Sequence, residues 1–241
     1  MKLLAFLKSI HDRLLDFSLE LSFDKKNQAH FSQIALHGTL IEFTGAIITL
    51  IENRGRSAVP SVFRSFLEAA VELRNLNKDP GYVEHMYASY TDQWLDVLKE
   101  AKKGNPYLAK IGVELNLDEM IAEDEAKLAA LCAKDKGTLN VYQRFERAGM
   151  IKEYRSMYNF LSCGAHSNIR ALVSRHFEEG DADFTLVYYK DEPLEYFAAT
   201  LGRAAELLLQ ASLETHEAFN SKRVAEIKSM FLEFEALRNE K

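Results

Sequence analysis

Leu3, Leu7, Ile10, Leu14, Phe17 and Leu21 recur at alternating steps of four and three at the start of the chain. That spacing keeps apolar side chains on one side of an α-helix, or along a coiled-coil seam. A second helix is predicted from about Gln28 to Glu52. Its most apolar part, Thr39 to Ile51, is 13 residues long and carries Glu42, whereas a membrane span needs about 20 apolar residues. The segment therefore reads as a buried central helix. The break at Asn53-Arg54-Gly55-Arg56 leads to a third helix from about Pro60 to Asn77. Asp79-Pro80 has the form of a cap followed by a first-turn proline, so it opens a fourth helix, which Gly104-Asn105-Pro106 stops.

From Asn116 to Lys136 the chain is acidic and rich in Ala and Leu, with Asp118 placed as a cap and Gly137 as a stop, the pattern of a peripheral helix. Helical periodicity resumes at Thr138 and runs through Tyr142, Phe145, Ile151, Tyr154, Tyr158 and Leu161, with interruptions expected at Gly149 and Gly164. If Gly164 divides the stretch, His166 sits at the start of a second helix. Phe184 to Tyr189 is the only strand-like run, and lone strands are rarely stable, so 181–192 is predicted to be an extended loop. Two last helices are expected, Pro193 to Phe219 and Lys222 to Asn239. All four prolines sit where periodic segments begin or break, as long helices require. The pattern predicts an all-α fold: a single multi-helix bundle over 1–241, with a motif-bearing core at 28–176 and C-terminal helices at 193–241.

Two polar series interrupt this pattern. Arg64-x-x-x-Glu68 and Tyr158-x-x-x-Ser162-x-x-x-His166 are spaced so that the members of each share one side of a helix. For the first series, one reading is a solvated stripe with a surface ion pair worth a few tenths of a kcal/mol. The other is a stripe facing an internal cleft, where Glu68 orients Arg64. For the second, Ser162 beside His166 has the form of nucleophile and base, and a hydrogen-bonded packing histidine is the competing reading. No Gly-x-Ser-x-Gly elbow supports a serine hydrolase. The two series are expected to lie close together, through Ser162 or His166.

Composition is that of an ordinary globular protein, with 47% hydrophobic and 27% charged residues in 241. Two cysteines make no disulfide scaffold and suit a reducing cytoplasm. The opening MKLLAFLKSIHDR is too short in its apolar run for a signal peptide. A net charge of −6 argues against broad coating of nucleic acid, yet Arg144 to His176 carries six basic residues against two acidic ones. This segment is the one best suited to an anionic ligand. The histidines form no His-x-x-x-His or Glu-x-x-His, Cys163-x-x-His166 is at most half a zinc site, and glycine-rich phosphate loops are absent. No metal or cofactor is expected.

Through Arg64-Ser65-Phe66-Leu67-Glu68 and the later Tyr-x-x-x-Ser-x-x-x-His, the chain resembles, over Gln28 to His176, an uncharacterised bacterial domain family of unknown function. More remotely it resembles the HEPN helical domains, many of which are metal-independent, homodimeric RNases with an Arg followed after four to six residues by His. Arg170-x5-His176 has that spacing, with Ala171 where the HEPN arginine is usually followed by a polar residue. The resemblance implies a helical protein acting on RNA or a nucleotide in bacterial defence or stress. His166, Ser162, Arg64, Glu68 and Tyr158 are the candidate catalytic set, and Arg155, Arg170 and His176 the candidate substrate-binding set. A homodimer is expected from the HEPN habit and the heptad-spaced first helix. The alternative is a non-catalytic module that binds a partner protein and whose polar cluster fixes helix packing.

Overall fold

The computed structural model describes residues 2–114, 116–165, 168–180 and 183–239. The fold is all-α apart from one small hairpin. Contacts within the chain define two compact units, Met1–Asn77 with Phe145–Lys241, and Lys78–Arg144.

In the first unit, α1 (Lys2–Ser18), α2 (Gln28–Glu52), α11 (Ala198–Ala218) and α12 (Val224–Asn239) pack on one another. The heptad positions Leu7, Ile10, Leu14 and Phe17 of α1 are all buried in this core. The leucine-rich seam is thus filled from within the chain and supplies no argument for a second copy. Asn27 caps α2 by accepting from the amides of Ala29 (3.0 Å) and His30 (3.3 Å). Gly55 donates its amide to the Leu50 carbonyl at 2.9 Å with Arg54 in the left-handed region, which closes the helix at the expected break. Among the described residues α2 is the one helix long and apolar enough to cross a membrane. Here its buried face, which includes Leu40, Ile47 and Ile51, packs against α1 and α11.

After a short 3-10 turn, α3 (Val59–Lys78) buries Phe63, Phe66, Leu67, Val71 and Leu73. The predicted stretch after Thr138 is broken into α7 (Val141–Ala148), α8 (Ile151–Glu153), a π-helical turn (Tyr154–Tyr158) and α9 (Asn159–Ala165). Gly149, at φ 74°, makes the first break, as expected. Gly164 does not end α9; the helix runs to Ala165, and α10 (Ile169–His176) begins after Asn168, whose side chain accepts the Arg170 amide at 3.0 Å.

The strand-like run has a partner that the sequence did not reveal. β1 (Phe177–Glu179) and β2 (Phe184–Leu186) form an antiparallel hairpin with Phe177 opposite Leu186 and Glu179 opposite Phe184. Only the remainder of 181–192 is irregular in the described residues.

In the second unit, Asp79 caps the turn Pro80–Tyr82 by accepting the Gly81 amide at 2.9 Å, and α4 (Val83–Lys102) follows. Gly104, at φ 84°, ends it. After α5 (Ala109–Glu114), helix α6 (Leu117–Ala133) packs on α4, and none of its described side chains is fully buried. The expected cap Asp118 lies instead inside the first turn and pairs with Lys102, while Asn116 precedes the helix and bonds Glu119. His85 holds the loop beyond α6 through Nδ1 to the Gly137 carbonyl at 2.7 Å.

Candidate functional site

α3 and the π-helical turn bring together three of the residues singled out in the sequence. Arg64 donates from Nη2 to the Tyr158 hydroxyl at 2.7 Å, and that hydroxyl donates to Glu68 Oε1 at 2.9 Å. The Arg64 and Glu68 side chains are themselves 3.4 Å apart as a helical i,i+4 pair. The guanidinium also lies 5.0 Å from the Tyr158 ring centroid. Burial holds the Tyr158 phenol above its usual pKa, an effect opposed by the Arg64 hydrogen bond and reinforced by Glu68. The hydroxyl therefore stays protonated and serves as relay donor between a cation and an anion.

The π-helical turn places the Tyr154 and Tyr158 rings in a stack 5.5 Å apart, with Phe145 at 5.0 Å from Tyr158. The trio is thus anchored by aromatic packing on one side and by α3 on the other. Ser162 turns instead to its own helix, where its hydroxyl donates to the Tyr158 carbonyl at 2.8 Å. His166, expected to complete the series, lies outside the described residues. A serine back-bonded in this way has spent its one proton on its own helix.

A separate pocket of about 530 Å³ opens in the same unit. Four cationic side chains line it: Arg56 from the turn after α2, Arg170 and Arg175 from α10, and Lys190 from the segment after β2. Phe160 and Tyr196 line it as well, while remaining 74% and 61% exposed. Arg56 is held by Asp191 and by the Glu192 carbonyl, and Lys190 by Glu192 at 3.4 Å and the Ser174 carbonyl at 3.2 Å. Arg170 is exposed and has no side-chain partner among the described residues. Four cations against Glu192 in the lining, with Asp191 beside Arg56, leave an excess of positive charge around an apolar floor that includes Leu161 and Phe197.

Of the three expected binding residues, Arg170 lines this pocket; Arg155 is exposed outside its lining. His176 packs its ring 6.1 Å from that of Tyr188, with Nδ1 buried and without a hydrogen-bond partner among the described residues. Six residues apart on α10, Arg170 and His176 are rotated by about 120° and separated by about 9 Å along the axis, so they present to different sides. Arg56, Lys190 and Tyr196 were not singled out in the sequence. They are far from the basic run in sequence, and only the tertiary fold brings them to α10.

Among the described residues no group of three or more His, Cys, Asp or Glu is arranged to hold a metal ion. No curated protein and no solved structure matches the chain. A family model does match over residues 31–184, a span that takes in α3, the π-helical turn and α10 and stops at the second strand of the hairpin. The chain belongs to this family, described as a family of unknown function, DUF5677.

Proposed function

We propose that this is a HEPN-like, cytoplasmic helical protein that binds RNA or a nucleotide through phosphate in the pocket between α10, the turn after α2 and the segment after β2. The observation that carries the reading is the meeting of four cations with exposed aromatic walls in one pocket of nucleotide size. Cations take the phosphate, and every nucleobase has a flat face for Phe160 or Tyr196. A chain of net charge −6 concentrates its attraction for polyanions at such a site.

The finer reading is a metal-independent ribonuclease. The RNA 2′-hydroxyl loses its proton to a histidine and attacks the adjacent phosphorus. The bond to the 5′-oxygen breaks, that oxygen takes up a proton, and an arginine stabilises the charged phosphorane. Arg170 is the arginine offered by the pocket, and His166 the histidine nearest to it in sequence. Arg64 is engaged by Tyr158 and Glu68 and lies outside the pocket lining, so it is not the arginine the pocket offers.

The test is titration of the protein with a nucleoside monophosphate and with a short RNA, followed by incubation of the RNA in EDTA. The proposal expects binding that Arg170→Ala weakens, and cleavage that persists in EDTA and is lost in His166→Ala. Binding without cleavage in every condition would retain the pocket and remove the ribonuclease. The competing reading, a non-catalytic module for a partner protein, is favoured by one observation: Arg64, Tyr158 and Glu68 hydrogen-bond one another, with Arg64 Nε alone left without a partner among the described residues. It predicts no affinity for nucleotide or RNA.

A further inference from the structure

Among the described residues, four other than glycine have positive φ: Arg54, Asp135, Asn220 and Tyr189. The first three each follow a helix C-terminus, where a left-handed residue lets the next amide bond back to the last turn: Gly55 to Leu50, Lys136 to Leu131, and Ser221 to His216, each at 2.9 Å. Tyr189, at φ 54°, ends no helix. A bulky aromatic residue in this region is an outlier that the surroundings must maintain.

The same tyrosine is 74% exposed and has no ring or hydrogen-bond partner among the described residues. Its neighbours in the chain are both engaged. Tyr188 packs on His176, the residue after Arg175, and Lys190 lines the pocket while bonding Ser174. The backbone is therefore pinned on both sides of a strained residue whose ring is left in solvent. Packing does not account for the strain, because the ring has no packing partner among the described residues.

We infer that Tyr189 is a base-stacking position beside the phosphate pocket, and that the ligand is accordingly a single-stranded polynucleotide and not a mononucleotide. The inference rests on the pocket being a phosphate site. One nucleotide is served there by Phe160 or Tyr196 with the cations, and the next base along the strand meets Tyr189. Stacking on an exposed aromatic ring tolerates any base, so the strand is held with little sequence preference.

The experiment compares two probes, a nucleoside monophosphate and a fluorescently labelled oligouridylate of about ten nucleotides, within the usual site size for a single strand. Wild type binds the oligonucleotide more tightly than the monophosphate. Tyr189→Asn keeps a residue that tolerates the left-handed region and removes the ring. It weakens oligonucleotide binding roughly five- to a hundredfold, leaves monophosphate binding unchanged and does not lower the Tm. Tyr189→Phe, which keeps the ring, binds like wild type. Oligonucleotide affinity unchanged in Tyr189→Asn, or equal affinity of wild type for the two probes, would overturn the inference while leaving the pocket intact. A lowered Tm with both affinities reduced alike would overturn it too, in favour of a structural role. Failure of both probes to bind wild type would instead remove the phosphate site itself.

Discussion

At the scale of single residues, burial decides the chemistry of two histidines in the core. His37 is buried against α11, with Nε2 2.9 Å from Ser212 Oγ, and its ring meets His216 edge-on at 5.8 Å. Burial first, and the nearby His216 second, push its pKa down to about 3. His216, hydrogen-bonded through Nδ1 to Ser221 at 2.8 Å, is lowered by burial to about 4, with Glu20 opposing and Arg223 reinforcing. Both pKa values lie below those of the unfolded chain, so the unfolded state takes up protons first as pH falls. Stability is complete above about pH 6.5 and declines towards the folded values, by about 1.4 kcal/mol per pH unit for each histidine. Denaturant midpoints measured at about pH 7 and about pH 5 should differ accordingly. A midpoint that stays flat across that interval would contradict the burial of these two rings. The Arg64, Tyr158 and Glu68 trio supports a second expectation. Tyr158→Phe removes the relay and should cost about 1–3 kcal/mol in stability, with phosphate binding unchanged. The fourfold spacing made Arg64 and Glu68 legible as partners, and Tyr158 as a member of the second series. That Tyr158 and not Ser162 meets them was hidden, because it depends on a π-helical turn and on Ser162 bonding its own helix.

At the scale of elements, prolines, caps and heptads carried most of the information. The second helix runs over Gln28–Glu52 as predicted, and Asp79 caps where Asp79-Pro80 placed it. Such local chemistry acts within a turn of the residue concerned and so can be read without knowing the rest of the fold. The hairpin could not be read this way. Its strands are three residues long, with Phe177, Glu178 and all of Phe184–Leu186 exposed, and gain their order by pairing with each other, with Val187 bonding back to the His176 carbonyl at 2.7 Å. Asp118 is not the cap because the helix already begins at Leu117, which leaves its carboxylate inside the first turn to pair with Lys102. The first helix yields a direct prediction. Leu14 is fully buried in a seam filled by the chain itself, so Leu14→Ala should cost about 2–5 kcal/mol. A loss below about 1 kcal/mol in chemical denaturation would mean that the seam is not part of the core.

For the whole molecule, the pocket is the feature least visible in sequence, since Arg56 and its partner Asp191 are 135 positions apart and meet α10 only through the fold. The basic run from Arg144 to His176 supplied Arg170 and Arg175 to the pocket, while Arg155, also in that run, lies outside its lining. With the α1 seam filled, a homodimer is motivated only by the proposed HEPN-like reading. Light scattering tests it by whether the mass exceeds that of the 27.5 kDa chain. The central claim, that the pocket is a phosphate site for RNA or a nucleotide, is tested most directly by the salt dependence of binding. Affinity for a short single-stranded RNA, measured by fluorescence anisotropy over a range of salt concentrations, should fall as salt rises. The double-logarithmic slope should be shallower by about one in Arg170→Ala, as expected for one lost phosphate contact. Binding absent in wild type, or a slope identical in the variant, would contradict the account.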